Sequence, residues 1–428
     1  MGQESFWKNK KVLVAGGAGF VGSKLVRLLL NQGSTVRVAD NLERGRKENL
    51  REVFDQIEFM QLDLVSFDSC LTATAGMDVC MNLVAKACGL EYSQDHHGEM
   101  FTFNTLLGLN VLEACRLNNV ERTLVVSSSC VYPDGAPAPT TEEAYTGTPE
   151  LVNEGYALGK INMEVQARYY AKEYDMKIAV ARPNNVYGAG DGWDGEKSHV
   201  IPALTKRVLD GEDPVRVWGS GNQTRAFVHV LDVAQGFMDL TEKYAVADPV
   251  NVGHDRETTI GDLVRKICEI SGKTPVLEFD TTKPEGAPRK SLSSEKLTRV
   301  SGFEPKMLLD KGLKEMVEWF RDNYDEATTG SCPELTIITP VYNEDDLIVP
   351  TIQEVKRHVG VPFEILVVYD FDEDTTVPYV EQMMQSVPEL KLVKNDIGPG
   401  VINAIRAGID AARGEYIVMV NGDLSDDM

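Results

Sequence analysis

Short apolar runs alternate with amphipathic stretches along the first 182 residues of this 428-residue chain. The run KVLVA at 11–15 has the length of a buried strand, and residues 22–31 repeat apolar side chains at helical spacing. Gly33 stands where a helix C-terminal cap is favoured. This alternation is typical of βαβ units and predicts an α/β fold with a Rossmann-type, doubly wound parallel sheet. The predicted strands are 11–15, 35–39, 58–62, 79–84, 123–127 and 177–181.

The pattern changes after residue 182. Segments rich in proline and glycine follow, which suits a smaller, loop-rich domain that covers a substrate. We therefore predict a partly discontinuous Rossmann domain at 1–182, a substrate-binding domain at 183–326 and a polar linker at 327–334. A second alternation then predicts a further, partial α/β domain at 335–428, with strands at 335–339, 364–369, 391–394 and 416–420.

Composition and charge narrow the class of protein. Apolar residues make up 43% of the chain and charged residues 25%, as in ordinary globular proteins. The formal net charge is −23, so nucleic acid and anionic membranes would be repelled, and we expect neither as a partner. No apolar run has the length of a signal peptide core or a membrane span, and the seven cysteines lack metal-binding spacing. We expect a cytoplasmic protein with reduced cysteines.

A glycine-rich loop, GGAGFVG at 16–22, lies between the first predicted strand and the first predicted helix. Gly16 permits a tight turn, Gly19 lets the backbone approach a pyrophosphate, and Gly22 lets helix and strand pack closely. The helix N-terminus offers N–H groups and a positive dipole to an anion. The loop predicts a dinucleotide site in the domain at 1–182, formed by Gly16, Gly19, Phe20, Val21 and Gly22.

Residues at the ends of the next two strands indicate which dinucleotide binds. Asp40 ends the second strand, where a carboxylate accepts the ribose hydroxyls of NAD and repels the 2′-phosphate of NADP. Two nearby arginines, Arg44 and Arg46, would neutralise such a phosphate, so NADP stays an alternative to NAD. The remaining residues of this predicted site are Asn41 and, beside the adenine, Asp63 and Leu64, although Asp63 alternatively caps a surface turn.

Three residues further along the chain suggest hydroxyl chemistry. Tyr156 and Lys160 are four residues apart and share a face of a predicted helix, so the ammonium group lowers the phenol pKa and holds the nicotinamide ribose. Ser128 follows the fifth predicted strand. Tyr156 would accept the proton of a substrate hydroxyl while a hydride leaves the carbon that carries this hydroxyl. Ser128 would assist this step.

These motifs, together with RPNNVYG at 182–188, VWGSG at 217–221 and RAFVHV at 225–230, resemble the extended short-chain dehydrogenase/reductase family of nucleotide-sugar epimerases and dehydratases. SSCVYP at 128–133, SHVIPAL at 198–204 and KPEGAPRK at 283–290 are similar to the subgroup with GDP-fucose synthase and GDP-mannose 3,5-epimerase. The resemblance implies that Cys130 and His199 shuttle protons at carbons beside a C4 ketone. It also implies substrate-binding residues, of which the last three hold the nucleotide diphosphate and base: Asn185, Arg207, Trp218 and Arg225.

The resemblance implies an activity but leaves its outcome open. GDP-fucose synthase consumes NADPH, whereas the unbroken glycine loop and Asp40 resemble members that keep NAD bound and recycle it. We expect a homodimeric, NAD-dependent epimerase that acts through a C4-keto intermediate on a GDP- or UDP-hexose and needs no metal. One alternative is an epimerase-reductase that consumes free NAD(P)H, and another is an NAD-binding redox sensor without turnover. Cys130 is alternatively a small core residue beneath the site.

Acidic residues follow the strands predicted after residue 335. TIITPVYNE at 336–344, VVYDFDED at 367–374 and NGDLSDD at 421–427 resemble the inverting family 2 glycosyltransferases. The resemblance implies a partial GT-A-like domain in which Asp370 and Asp372 hold a nucleotide and Asp423 ligates a divalent metal at the diphosphate. We expect the half that carries acceptor site and catalytic base to be missing. We therefore expect a metal only where the domain is complete, and no sugar transfer by this chain.

Overall fold

The computed structural model describes residues 5–87, 90–193, 195, 198–283, 286–329, 333–384, 387, 389–414 and 416–422. The chain forms two compact units, Met1–Ala327 and Thr328–Met428. Across the described residues, no helix combines the length and the apolar character needed to cross a bilayer. The finer boundary at residue 182 stays a prediction.

A seven-stranded parallel sheet forms the centre of the first unit, within the described residues. Its strands occur in the order β11-β6-β5-β4-β1-β2-β3, which confirms the predicted doubly wound parallel sheet. The last strand, β11, comes from a part of the sequence beyond residue 182. The strands are β1 (Lys11–Ala15), β2 (Thr35–Asp40), β3 (Ile57–Gln61), β4 (Val79–Asn82), β5 (Arg122–Val126), β6 (Lys177–Pro183) and β11 (Val250–Val252).

Helices cover both faces of this sheet. Neighbouring residues of a strand point to opposite faces, and both faces carry apolar side chains that pack against helices. Val12 of β1 packs in one apolar cluster with Val26 and Phe237. The next residue, Leu13, packs in another with Val111. The helices are α1 (Phe20–Asn31), α2 (Phe67–Thr74), α3 (Leu90–Asp95), α4 (His97–Leu117), α5 (Glu154–Tyr174), α6 (Val200–Leu209), α7 (Val230–Lys243), α8 (Ile260–Ser271), α9 (Glu295–Ser301), α10 (Leu309–Asp322) and α11 (Tyr324–Thr329).

Short strands after residue 183 bring distant segments together. One small sheet places β9 between β12, which is antiparallel to it, and β14, which is parallel. Two parallel pairs, β7 with β10 and β8 with β13, complete this region. Leu204, Leu263 and Leu313, from three different helices, pack in one apolar cluster here. The strands are β7 (Val186–Tyr187), β8 (Val215–Trp218), β9 (Thr224–Ala226), β10 (Val228–His229), β12 (Glu257–Thr259), β13 (Leu277–Asp280) and β14 (Arg289–Lys290).

A helix overlaps the start of the predicted polar linker, whose bounds stay a prediction. Helix α11 continues through residues 327–329, which the sequence assigned to the linker. Ala327 is fully buried, and its N–H donates to the Asn323 carbonyl at 2.8 Å. Burial of this small apolar side chain explains why the helix extends into a segment of polar composition.

The second unit contains a four-stranded parallel sheet, within its described residues, in the order β17-β16-β15-β18. Ile337 and Ile338 of its central strand pack in different apolar clusters on opposite faces. The predicted second α/β alternation is therefore correct. Its elements are β15 (Leu335–Pro340), α12 (Ile348–His358), β16 (Phe363–Tyr369), α13 (Val377–Met384), β17 (Leu390–Lys394), α14 (Val401–Ala411) and β18 (Tyr416–Met419).

Candidate active site

The glycine loop joins β1 to α1 and turns sharply at Gly16, whose φ is +78°. A Cβ atom at Gly22 would lie 2.2 Å from the Gly16 carbonyl oxygen, so only glycine permits this packing. A Cβ atom at Gly19 would meet the Gly16 carbonyl oxygen alone, at 3.3 Å, which leaves the other side open. Helix α1 begins directly after Gly19, at Phe20, and both Phe20 and Val21 are half-buried. The loop therefore fits the diphosphate of a dinucleotide.

Asp40 lies at the end of β2, next to this loop, and is buried. Its Oδ2 accepts the Ala18 N–H at 3.0 Å, and its Oδ1 accepts the Leu42 N–H at 2.9 Å. Burial raises the pKa of Asp40, and these two hydrogen bonds oppose the rise. Gly45 folds against the carboxylate so closely that a Cβ atom there would lie 2.6 Å from Oδ1. The strand end thus presents a fixed carboxylate beside the glycine loop.

The other residues of the predicted cofactor site have local contacts. Asn41 is exposed, and its Oδ1 accepts the Glu43 N–H at 3.0 Å. Asp63 is exposed, and its Oδ1 accepts the Val65 N–H at 3.0 Å, which is the turn-capping contact of the alternative interpretation. Leu64 is buried in the core.

Lys160 and Tyr156 lie on α5, whose buried face packs against the end of β5. Lys160 is buried, and its Nζ donates to the Val126 carbonyl oxygen at 2.9 Å. The same Nζ lies 5.7 Å from the centre of the Tyr156 ring. Burial lowers the pKa of Lys160 to about 8. Ser128 follows two residues after Val126, and its Oγ accepts the Cys130 N–H at 3.2 Å. Ser128 and the Tyr156–Lys160 pair therefore both lie at the end of β5, where Val126 binds Lys160.

A buried ion pair, Arg182 with Glu164, lies next to this group and was not predicted from the sequence. Arg182 donates to Glu164 through Nε at 2.8 Å and through Nη2 at 2.6 Å. Arg182 Nη1 also donates to the Tyr132 hydroxyl at 3.1 Å, and Ser127 Oγ donates to Glu164. The pair joins α5 to the ends of β5 and β6. One signal was available, because Glu164 lies four residues after Lys160 on the same helical face.

Cys130 belongs to a polar cluster drawn from three distant segments. Lys290 Nζ lies 3.9 Å from Cys130 Sγ and 2.6 Å from Glu150 Oε2. Asn153 Nδ2 donates to Glu150 Oε1 at 2.5 Å. Burial and the Glu150 carboxylate raise the pKa of Cys130 to about 12, whereas Lys290 opposes the rise. Glu150 and Asn153 were not identified from the sequence, and no local pattern marks them.

His199 lies directly before α6 and is half-exposed. Its Nδ1 is 3.1 Å from both carboxylate oxygens of Asp191. A carboxylate at this nitrogen favours the tautomer that leaves Nε2 as the proton acceptor. Asp191 is not among the site residues predicted from the sequence.

The predicted substrate-binding residues contact backbone carbonyl groups or a neighbouring side chain. Asn185 Nδ2 donates to the Ala226 oxygen at 2.9 Å. Arg225 donates to the Thr224 oxygen at 2.8 Å and to the Ala287 oxygen at 2.7 Å. The other two are Arg207, which donates to the Arg216 oxygen, and Trp218, whose ring centre lies 5.0 Å from Lys283 Nζ.

The second unit contains a cleft of about 730 Å³ at the ends of its strands, lined in part by Tyr342, Asp370 and Gly400. Asp370 Oδ1 accepts Asn395 Nδ2 and Asp370 Oδ2 accepts the Gly400 N–H, both at 2.7 Å. Asp372 is instead exposed and pairs with Lys394 at 2.7 Å. Asp423 lies outside the described residues. Of the predicted acidic residues, the described structure therefore places Asp370 in the cleft.

Comparison with known proteins identifies the families of both units. Residues 12–253 match the NAD dependent epimerase/dehydratase family, and residues 336–427 match glycosyl transferase family 2. A putative GDP-L-fucose synthase 2 of Arabidopsis thaliana is 35% identical over 74% of this chain and 93% of its own length. GDP-mannose 3,5-epimerase 1 of Oryza sativa subsp. japonica is 27% identical over 76% of this chain and 86% of its own length.

Solved structures agree with these matches. UDP-glucose 4-epimerase of Thermus thermophilus, solved in complex with NAD, aligns with a TM-score of 0.63 and 30% identity, over 73% of this chain and 99% of that one. UDP-glucose 4-epimerase of Thermotoga maritima, solved with UDP-glucose, aligns with a TM-score of 0.67 and 29% identity, over 73% and 99%. The chain belongs to the NAD dependent epimerase/dehydratase family.

Proposed function

We propose that the first unit is an NAD-dependent nucleotide-sugar epimerase that acts through a C4-keto intermediate of a GDP- or UDP-hexose. The observation that supports this interpretation best is the position of the Cys130 thiol. Its Sγ lies 3.9 Å from the Lys290 ammonium group, and the backbone N–H of Cys130 donates to Ser128 Oγ. Chemistry at C4 alone needs only the serine, tyrosine and lysine. A thiol in a charged cluster beside them adds an acid/base group for a second carbon.

The residues at the end of β5 would carry out the first stage. Tyr156 takes the proton of the C4 hydroxyl, Ser128 holds the same oxygen by a hydrogen bond, and the Lys160 ammonium group favours the phenolate. Bound NAD would supply the acceptor for the hydride. Asp40, fixed by two backbone N–H groups, favours NAD over NADP because a 2′-phosphate would meet its charge.

The second stage depends on the C4 ketone, which acidifies the hydrogens on C3 and C5. Inverting such a carbon requires removal of a proton from one face of the sugar ring and return of a proton to the other. Cys130 and His199 would provide the two groups. Asp191 supports His199 in this role, because its carboxylate fixes the orientation of the imidazole ring.

A reductase is the second candidate, because the 35% identical relative is a putative GDP-L-fucose synthase. An epimerase returns the hydride and consumes no reduced cofactor, whereas a reductase consumes one NAD(P)H for each sugar. The purified protein should release NAD on denaturation. With GDP-mannose or a UDP-hexose, it should incorporate solvent deuterium at C3 or C5 without net consumption of NAD(P)H. Stoichiometric consumption of NADPH with a 4-keto nucleotide hexose as substrate would instead establish the reductase.

The second unit is proposed to bind a nucleotide sugar in the cleft around Asp370. The carboxylate is held in place by Asn395 and Gly400, and its side chain lines the cleft. Titration of the full chain with UDP-glucose and with GDP-mannose should detect a site that Asp370→Asn weakens. The matched variant Asp410→Asn should leave binding unchanged, because Asp410 is an exposed residue of α14. Equal affinities in the wild type and in Asp370→Asn would exclude this site.

We also propose a homodimer in the cytoplasm. Phe101 of α4 and Tyr169 of α5 are 39% and 55% exposed, which favours a covered face on this helix pair. Free cysteines among the described residues are compatible with a reducing compartment. Sedimentation equilibrium would test the dimer, and Tyr169→Glu should weaken it.

A further inference from the structure

Lys290 contacts both the acid/base thiol and a buried carboxylate. Its Nζ is 2.6 Å from Glu150 Oε2 and 3.9 Å from Cys130 Sγ. We propose that Lys290 is a positioning residue for proton transfer at Cys130, where its ammonium group stabilises the thiolate that remains when the thiol gives its proton to a sugar carbon. This inference rests on the proposed function, because the proton transfer at Cys130 belongs to that reaction.

The fold fixes Lys290 in place before any substrate binds. Lys290 lies in β14, where it pairs with Arg225 of β9 in the parallel register. Directly after it, the Ser291 carbonyl accepts the Thr140 N–H at 2.8 Å. Glu150 is held in turn, because its N–H donates to the Cys130 carbonyl at 3.2 Å and its carboxylate accepts Asn153. The distance between ammonium group and thiol is therefore set by three separate backbone segments.

The charges around the thiol determine its resting state. The Glu150 carboxylate and the Lys290 ammonium group face it, and Arg225 adds positive charge beside Lys290. Burial lowers the pKa of Lys290, but the ion pair with Glu150 opposes this, and the pKa lies above its usual value, so the ammonium group persists. Burial and Glu150 raise the pKa of Cys130, so the thiol rests protonated. Cys130 is thus poised as an acid.

The proton transfer balances without any other reagent. The S–H bond of Cys130 breaks, a C–H bond forms at the carbanion carbon beside the C4 ketone, and the electron pair of the S–H bond stays on sulfur. Lys290 keeps its own proton throughout and compensates the new negative charge. In the reverse direction, the thiolate takes the proton back from the same carbon.

Alkylation of Cys130 tests this assignment without turnover, because the thiolate is the reactive form. The full chain is treated with iodoacetamide between pH 7 and pH 9.5, and the Cys130 peptide is followed by mass spectrometry. Lys290→Met keeps the length of the side chain and removes the charge, so Cys130 should react about tenfold more slowly, which corresponds to a pKa higher by about one. Lys290→Arg keeps the charge and should stay within about threefold of the wild type.

Arg289→Met is the matched control, because it removes the same charge one residue away. Arg289 pairs with Glu257 at 2.8 Å, and its loss should leave the Cys130 rate unchanged. Equal rates in the wild type and Lys290→Met, or equal slowing by Arg289→Met, would overturn the assignment. If Lys290→Met does not fold by circular dichroism, Lys290→Gln is compared with Lys290→Arg, and equal rates in that pair likewise overturn it. Failure of the proposed function is seen separately, as a lack of solvent deuterium in the sugar.

Discussion

Lys160 Nζ donates to the backbone carbonyl oxygen of Val126 at 2.9 Å, inside a site where the lysine side chain is almost fully buried. The contact ties the middle of α5 to the last residue of β5. It keeps the ammonium group within reach of Tyr156, but it requires a charge to remain in an apolar environment. Burial accordingly lowers the pKa of Lys160 from 10.5 to about 8. The arrangement should reduce stability in favour of function.

The first prediction is that Lys160→Met stabilises the first unit at pH 7 while abolishing activity. The lowered pKa corresponds to a cost of roughly 3 kcal/mol below pH 8, and loss of the bond to Val126 costs about 1 kcal/mol. A net gain of about 1 to 2 kcal/mol is expected. Because the folded pKa lies below the unfolded value, the cost is complete below pH 8 and disappears as the pH rises to 10.5.

Urea unfolding followed by tryptophan fluorescence measures this difference, because all four tryptophans (Trp7, Trp193, Trp218 and Trp319) belong to the first unit. Lys172→Met is the control, since Lys172 is an exposed residue of the same helix, and it should change stability by less than about 0.5 kcal/mol. A Lys160→Met variant that is less stable than the wild type at pH 7 would show that the buried charge is not costly.

The second prediction concerns the hydroxyl of Tyr156. Tyr156→Phe should reduce hydride transfer by about 10²- to 10⁴-fold, because only the proton relay is lost. Stopped-flow absorbance of reduced nicotinamide measures the transfer, and fluorescence titration should show that NAD still binds. Tyr169→Phe, an exposed position of the same helix, should leave the rate unchanged. Retention of more than a tenth of the wild-type rate would exclude Tyr156 as the base.

The third prediction concerns cofactor preference. Asp40→Asn keeps an acceptor for one of the two backbone N–H groups but removes the charge that a 2′-phosphate would meet. The ratio of NADP affinity to NAD affinity should rise at least about tenfold, as measured by calorimetry. Asp55→Asn, which removes an exposed carboxylate, is the control. Tighter binding of NADPH than of NADH by the wild type would contradict both the preference for NAD and the epimerase assignment.

Local sequence patterns were sufficient for the fold and the glycine loop, because both are encoded within a few residues. The apolar run at 11–15 and the glycines after it lie next to each other in the chain, so strand, turn and helix follow from their spacing. The contact of Asp40 with Ala18 could be anticipated for the same reason, since a strand end and a neighbouring turn meet in any βαβ unit.

The cluster around Cys130 could not be predicted in this way. Glu150 and Lys290 are 140 residues apart in the chain, and Lys290 and Cys130 are 160 apart. Only tertiary contacts bring them together, so no local pattern shows that these three residues meet. Asp63 follows a strand end, where the pattern predicts a contact with adenine, and its described hydrogen bond caps a turn, so the cofactor contact of Asp63 stays a prediction.

The last prediction separates inversion at C3 or C5 from chemistry at C4, and it concerns the Cys130 thiol. Cys130→Ser replaces the thiol by a hydroxyl of similar size whose pKa is far too high for this exchange. Ser128 and the Tyr156–Lys160 pair stay intact, so oxidation at C4, seen as transient absorbance of reduced nicotinamide, should persist. Incorporation of solvent deuterium at C3 or C5 should fall by at least about 10²-fold.

The matched control for this prediction is Cys268→Ser, which alters a buried cysteine in the apolar cluster around Leu263. This substitution should lower stability slightly and leave deuterium incorporation unchanged. Mass spectrometry of the recovered sugar nucleotide measures incorporation, and the nicotinamide absorbance measures C4 oxidation in the same sample. If the wild type reduces its bound cofactor with a GDP- or UDP-hexose and still takes up no deuterium, the thiol has only a structural role. In that case the enzyme acts at C4 alone, because no proton on a neighbouring carbon has been exchanged.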